Sequence, residues 1–401
     1  LFNKKNEYYI PFCVRPKISS KKNKILFLLP TASYLAYANN RIAIDVPETE
    51  TVCGRLIEVN EQDIFLQETP ELGLSFYDVH NDGSAVFYSS KRRPIINFQP
   101  KVKGVLGGLG SNVWQFNADT HILGWLNHFD YKFDVICDSD LHKYGYKILE
   151  NYNVLMTGSH PEYYSSKMIK GVEKFKNNGG RLMYLGGNGF YWRISYDKIS
   201  TDIIECRKSD AGIRAVETHP AENYSSLTGE YTGLWRRNYY PPNKLVGVGM
   251  VSQGFDVSSA YYRTKQSFNK KVKFVFDGIK ETKIGDFGLS GGGAAGLEID
   301  SYNQELMSPN NTFILASSRL HSDIYLMTPE DLLDPAPGIG GTESEKIKSD
   351  IVFFETKNKG AVFSVGSVAW GGSMAWNKYQ NNISKITQNV LNRFLNNKGF
   401  N

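Results

Sequence analysis

The chain has 401 residues and 41% hydrophobic content, enough to bury an ordinary core in two domains or in one large α/β domain with insertions. Its formal charge of +5 comes from Lys and Arg scattered among acids, with short clusters such as "SSKKNK" and "SSKRRP" that read as solvated surface, so nucleic acid is not expected as a partner. No apolar run is long enough to span a bilayer and no secretory leader is visible, so no membrane association is expected. Cys13, Cys53, Cys137 and Cys206 stand far apart without a CxxC pair, and the expected setting is reducing and cytoplasmic.

The first predicted element is a strand over "KILFLLPT" (residues 24–31), whose unbroken hydrophobicity is that of a strand covered on both faces. An insertion follows at about residues 32–117, holding "ASYLAYANN" and "GLSFYDVHNDGSAVFYSS". The next helix is expected over "ADTHILGWLNHF", where Ile122, Trp125, Leu126 and Phe129 recur at helical spacing. Short alternating units come next: strand "KFDVIC", helix "HKYGYKILENY", strand "NVLMTGS", helix "SSKMIKGVEKFKNN" and strand "RLMYLGG". In the second of these helices Met168, Ile169, Val172 and Phe175 form an inner stripe, Lys167, Lys170 and Lys174 a solvated face, and Gly179 and Gly180 the stop. Such alternation predicts an α/β fold with a mainly parallel sheet flanked by helices and right-handed crossovers. From about 189 to 337 the rhythm gives way to a second insertion rich in Gly and Tyr. The sheet then resumes with a strand pair around "KNKG" in "DIVFFETKNKGAVFSVGSVAW". A closing helix, "NISKITQNVLNRFLNN", turns Ile383, Ile386, Val390, Leu391 and Phe394 inward.

Ligands of an open parallel sheet bind outside the carboxyl ends of its strands, where loops converge and helix N-termini point in. By that rule the first strand leads to a rim holding Tyr34, Tyr37, Tyr77 and His80, "NVLMTGS" delivers His160 and Glu162, and "RLMYLGG" delivers Asn188. Taken singly, each has a plain structural explanation: a tyrosine satisfied at the surface, a buried imidazole, or a carboxylate at the N-terminus of a helix beginning just after "HPE". Their convergence on one edge points to a site. The glycine-rich stretches "KVKGVLGGLGS", "LGGNGFYW" and "FGLSGGGAAGLEID" lack the ending of a P-loop and read as places where backbone passes close to a ligand or another loop. Glu298 is then either held near the site or an acid at a helix start. There is no HExxH, and the histidines do not pair at metal-ligand spacing. A metal here would take oxygen donors, and phenolate with carboxylate suits a hard ion such as Fe(III).

Several long motifs occur in a familiar order: "ASYLAYANN", "YDVHNDGS", "SSKRRPI", "TGSHPEYYS", "GGRLMYLGGNGFYWR", "TGEYTGLWRR", "FGLSGGGAAGLEID", "LASSRLHSD" and "GAVFSVGSVAWGGS". From about Lys24 onward the chain resembles the large subunit of N,N-dimethylformamidases. The resemblance implies a fold similar to class I glutamine amidotransferases (flavodoxin-like) without their catalytic cysteine, and a mononuclear iron held by two tyrosinates and a glutamate. The glutamate falls on Glu162, one tyrosine on Tyr77, and the other on Tyr37, with Tyr34 as the alternative; the family's accompanying His, Asn and Glu fall on His160, Asn188 and Glu298. It also implies a preceding domain, a small helical partner subunit and a homo-oligomer. The expected function is iron-dependent cleavage of a small N-substituted formamide to formate and an amine. Glu298 would act as base, His160 and Asn188 would orient the substrate, and Phe190, Tyr191 and Trp192 would wall a small apolar pocket. The competing expectations are a non-catalytic module of the same fold that binds a ligand or carbohydrate at this edge, and a structural subunit of a larger assembly.

Overall fold

The computed structural model describes residues 9–18, 23–42, 44, 46–100, 115–208, 222–328 and 339–400. The first expected strand forms over Ile25–Leu29 (β1) and joins Phe133–Cys137 (β2), Val154–Thr157 (β3), Arg181–Tyr184 (β4), Tyr261–Arg263 (β5), Lys283–Ile284 (β6), Phe313–Ser318 (β7), Asp350–Glu355 (β8) and Ala361–Ser364 (β9). Together they build one nine-stranded sheet in the order β6, β5, β7, β8, β9, β4, β3, β1, β2. Strands β2, β1, β3, β4 and β9 run parallel, and β8, β7, β5 and β6 extend the sheet in antiparallel fashion. The sheet is thus mixed, parallel through one half, where the alternation of elements predicts a mainly parallel one. The segment 189–337 supplies β5, β6 and β7 to it. These strands are illegible in the sequence because they are short and separated by long loops, so no run of alternation exposes them.

The continuous hydrophobicity of the central strands follows from burial on both faces. Leu26, Leu28, Leu155, Leu182, Val352, Phe354 and Val362 enter one core cluster. Their neighbours Phe27, Val154, Met156, Met183, Ile351, Phe353 and Phe363 enter another, as the two-residue period of a strand requires.

A helix not expected from the sequence, Thr31–Ala36 (α1), follows β1 directly. At six residues it is too short to show a helical period. The helix expected at "ADTHILGWLNHF" runs over Gln115–His128 (α2), with Ile122, Trp125 and Leu126 buried. "HKYGYKILENY" breaks into Asp138–Tyr144 and Tyr146–Leu149, because Gly145 adopts a left-handed φ of 55° between them. Ser166–Asn177 (α3) is capped by Ser165, not by the "HPE" segment, and Tyr163–Tyr164 forms a short strand before it. The strand pair around "KNKG" and the closing helix Asn382–Leu395 (α4), with its five expected residues buried, form as the pattern predicts. "GVLGGLG" lies outside the described residues. Among the described residues no helix is long and apolar enough to cross a membrane.

On α3 the inner stripe is buried and Lys167, Lys170 and Lys174 are exposed, but Lys176 is buried and donates to the carbonyls of Lys244 and Leu245 at 3.1 and 2.7 Å. Burial pushes its ammonium down to about 8. The folded chain therefore binds fewer protons than the unfolded chain between that value and the ordinary lysine range, so this group's contribution to stability grows as pH rises across the window. Denaturant unfolding of the parent and Lys176→Met at neutral and at alkaline pH should show the difference moving in the parent's favour on going alkaline, by roughly 2 kcal/mol. A pH-independent difference would contradict the assignment.

Candidate active site

The segments after the carboxyl ends of β1, β3 and β4 carry Tyr37, His160, Glu162 and Asn188. Tyr37 is the C-cap residue of α1, and the turn after it is pinned by Asn39, which sits in a left-handed conformation (φ 58°) that asparagine tolerates. Asn39 donates to the carbonyls of Leu72 and Pro94 at 3.1 and 2.9 Å and accepts from Ile96 N–H at 2.8 Å. Arg93 reinforces the same junction by donating to Leu72 and Ala38 carbonyls at 3.1 and 3.2 Å. It is thus not part of the solvated cluster that "SSKRRP" suggests; only Lys91 and Arg92 behave so, pairing with Asp202. The loop carrying Tyr77 docks on the end of α1 through Phe76 N–H to Ala36 O at 2.9 Å, and Asp78 ties it to Arg41 N–H at 3.1 Å. These contacts lay the rings of Tyr37 and Tyr77 in a stack, with centroids 4.2 Å apart.

Beneath the stack lies Glu162, wholly buried. Its backbone N–H donates to Ser33 Oγ of α1 at 3.0 Å, and its carbonyl accepts from Tyr191 and Trp192 N–H, each at 2.9 Å. Its carboxylate accepts from Tyr37 Oη at 3.1 Å, Tyr77 Oη at 3.4 Å, Asn188 Nδ2 at 3.3 Å and Trp192 Nε1 at 3.0 Å. Since Glu162 precedes the N-cap of α3 and is followed by a short strand, it is not a helix-start acid. Asn188 follows β4 in a left-handed conformation (φ 47°), with its N–H held by Asp300 Oδ1 at 2.8 Å. Its own side-chain oxygen is buried without a partner among the described residues.

Glu298 lies in the strand Ala295–Ser301, so the helix-start alternative falls away. Leu297 beside it takes a φ of 67°, an uncommon and strained choice for a branched side chain. Glu298 Oε2 reaches His160 Nε2 at 2.7 Å, and the same nitrogen is 3.4 Å from Glu162 Oε2. Close backbone crossings make this possible, as the glycine-rich stretches predict. A Cβ on Gly293 would sit 2.4 Å from Ser259 O, and one on Gly187 would sit 2.3 Å from Glu298 O and 2.9 Å from Val368 N. Gly187→Ala should accordingly destabilise the protein by about 2–3 kcal/mol, as backbone must yield. It should also cut any activity that depends on Glu298. Chemical denaturation showing no change would refute the tight crossing.

Burial, and then the charge of Glu162, pushes the hydroxyls of Tyr37 and Tyr77 well above the usual tyrosine range, so in the metal-free protein both are phenols that donate to the carboxylate. Burial alone would lower His160, but Glu298 and Glu162 outweigh it and hold the imidazole above its ordinary range. Gln115, at the start of α2, places its amide 3.1 Å from His160 Nδ1. Among the described residues no three His, Cys, Asp or Glu side chains are arranged to hold a metal. The tyrosines are what would complete such a set: three hard oxygen donors, from Tyr37, Tyr77 and Glu162, converge within hydrogen-bond reach, and a trivalent cation would reverse the field that keeps the phenols protonated. The residues present fit a hard metal ion.

Tyr34, by contrast, gives its hydroxyl to Asp119 and packs its ring on Phe98 and Phe116. His80 is exposed, in a turn where its N–H donates to Ser84 O at 2.9 Å. Of the three expected wall residues Trp192 donates to the carboxylate, while Phe190 packs on Tyr164 and Tyr184. Sequence reasoning misses Tyr163, whose hydroxyl is 2.7 Å from that of Tyr77, and Lys208, whose ammonium lies 3.9 Å from the Tyr77 ring centre and 4.8 Å from that of Trp192. For Tyr163 the signal is present in "HPEYY"; for Lys208 there is none. A cavity of about 50 Å³ reaches Tyr37 between Phe98, Phe116 and the amides of Asn40, Asn97 and Gln115.

A family model described as N,N-dimethylformamidase beta subunit-like, C-terminal, matches residues 2–381. The chain belongs to that family. It is 42% identical over 392 residues to an N,N-dimethylformamidase beta subunit from Paracoccus aminophilus, covering 97% of this chain and 51% of the relative. It is 41% identical over 391 residues to one from Alcaligenes sp, with the same coverage. This N,N-dimethylformamidase beta subunit-like chain thus spans about half the length of the curated relatives it matches. Among solved structures, a ThuA-like protein from Bacteroides uniformis aligns with a TM-score of 0.34 and 12% identity, over 69% of this chain and 82% of that one.

Proposed function

We propose that this chain carries the metal-dependent hydrolytic centre of an amidohydrolase that cleaves small N-substituted formamides, such as N,N-dimethylformamide, to formate and an amine. One observation carries the reading: two tyrosine hydroxyls from separate loops meet one wholly buried carboxylate, Glu162, with Glu298, His160 and Asn188 around them. Tyr37, Tyr77 and Glu162 hold a mononuclear iron in the ferric state. When bound, iron supplies the Lewis acidity that an uncharged tertiary amide needs, polarising its carbonyl and acidifying water.

The chain's own groups do the remaining work. Glu298 accepts the proton of the attacking water and returns it to the leaving nitrogen. His160, 2.7 Å from Glu298, holds that carboxylate in place and with Asn188 orients the amide oxygen as negative charge develops on it. Trp192 fixes the Glu162 oxygen at 3.0 Å. The small cavity beside Tyr37 supports a substrate of few atoms. The names of the relatives support the substrate class, and their designation as beta subunits supports assembly with a different subunit, which we take to be small and helical, within a homo-oligomer in the cytoplasm. We also take the domain, residues 1–401 with its two insertions, to be amidotransferase-like.

Elemental analysis and a visible spectrum of the full-length protein, with formate release from N,N-dimethylformamide, test this. Iron in a one-to-one ratio, a tyrosinate charge-transfer band and turnover lost on chelation are expected; protein that stays metal-free after iron reconstitution overturns it. Tyr37→Phe should lower the iron content and weaken the band, with Tyr77 left as the one tyrosinate. Tyr34→Phe should leave it intact and cost about 1–2 kcal/mol of stability, because it strips a partner from buried Asp119.

A further inference from the structure

The four cysteines are scattered in the sequence, yet the fold brings two of them together. Cys13 and Cys137 line one cavity of about 700 Å³, together with Leu29, Thr31, Tyr34 and Leu35. Their surroundings tie the two segments together. Arg15, just past Cys13, pairs with Asp140 at 2.9 Å and donates to Tyr144 Oη at 3.3 Å, while Asp140 accepts from Cys137 N–H at 3.2 Å. Cys137 ends β2, and its neighbour Asp138 accepts from Ala32 N–H at 2.9 Å and donates its own N–H to Thr31 Oγ1 at 3.1 Å. The pair therefore sits one residue from the contacts that seat α1, the helix that ends at Tyr37.

We propose that Cys13 and Cys137 are a dithiol site that closes to a disulfide on reaction with a small-molecule disulfide such as oxidised glutathione, tethering residues 9–18 to the edge of the sheet beside α1. Both thiols are partly accessible, whereas Cys53 and Cys206 are buried. The roles within the pair differ. The side chain of Cys137 holds the Cys13 thiol below its ordinary range, and Cys13, with burial, pushes Cys137 far up. Cys13 is thus the attacking sulfur. Its thiolate attacks one sulfur of the small disulfide, forming a mixed disulfide and expelling one small thiolate. Cys137 then gives its proton to solvent and attacks the Cys13 sulfur, expelling the second. Two protein thiols are oxidised and one small disulfide is reduced to two thiols.

The test is to incubate the full-length protein with oxidised glutathione, digest it without reduction and map the peptides by mass spectrometry. Thermal unfolding is then compared before and after oxidation for the parent and for Cys13→Ser. A joined peptide pair through Cys13 and Cys137, and a Tm that rises on oxidation in the parent but not in Cys13→Ser, is the expected result, since closing a long loop constrains the unfolded chain. Separate glutathione adducts with no joined pair, a joined pair through other cysteines, or no reaction at either residue would overturn the proposal. The mapping of the parent decides the matter even if the variant fails to fold.

Discussion

Replacing Glu162 should remove iron and turnover together. The carboxylate is wholly buried and accepts from four neutral donors, on Tyr37, Tyr77, Asn188 and Trp192. Alanine would leave those donors without an acceptor at about 1–3 kcal/mol each, so Glu162→Ala tests folding as much as chemistry. Glu162→Gln is the sharper variant. It keeps the volume and one acceptor oxygen but turns an amide N–H toward donors and removes the negative charge a cation requires. Metal affinity should fall by roughly 100-fold or more, and the visible band with it, while near-ultraviolet circular dichroism stays native. Glu162→Gln protein with full iron and an unchanged spectrum would show that this carboxylate is not a ligand.

Glu298→Gln should do the opposite: iron and its absorption stay, and turnover falls by about 10²–10⁴-fold, the usual contribution of a positioned general base. The geometry separates the two acids. Glu162 faces the phenols of Tyr37 and Tyr77, whereas Glu298 approaches from the strand Ala295–Ser301 and meets the opposite partner, His160, at 2.7 Å. Backbone contacts hold that strand, with Val368 N–H donating to Glu298 O at 3.2 Å, so the substitution leaves the fold in place. Loss of iron from Glu298→Gln would move Glu298 into the ligand set; full turnover would remove it from the chemistry.

Much of this site is legible in the order of residues and elements. Glu162, His160 and Asn188 follow strands whose unbroken hydrophobicity marks them as central and parallel, and the rule that sites gather at carboxyl ends needs only the sequence of strands and helices. The glycines of "LGGNG" and "SGGGAAG" announce close crossings, and both crossings occur. By itself, then, the sequence determined what its short-range periods encode: which strands are buried on both faces, which face of α3 and α4 turns inward, and which loops leave the sheet on the ligand side. The tertiary structure alone decided the rest. Tyr34 and Tyr37 are close in sequence on one short helix, and only the docking of the Phe76–Tyr77 loop on Ala36 gives Tyr37 the carboxylate and leaves Tyr34 to Asp119. Trp192, Lys208, the pairing of Glu298 with His160 and the meeting of Cys13 with Cys137 are likewise contacts between distant segments. No local pattern carries them, because where such side chains meet depends on how loops fold back over a finished sheet.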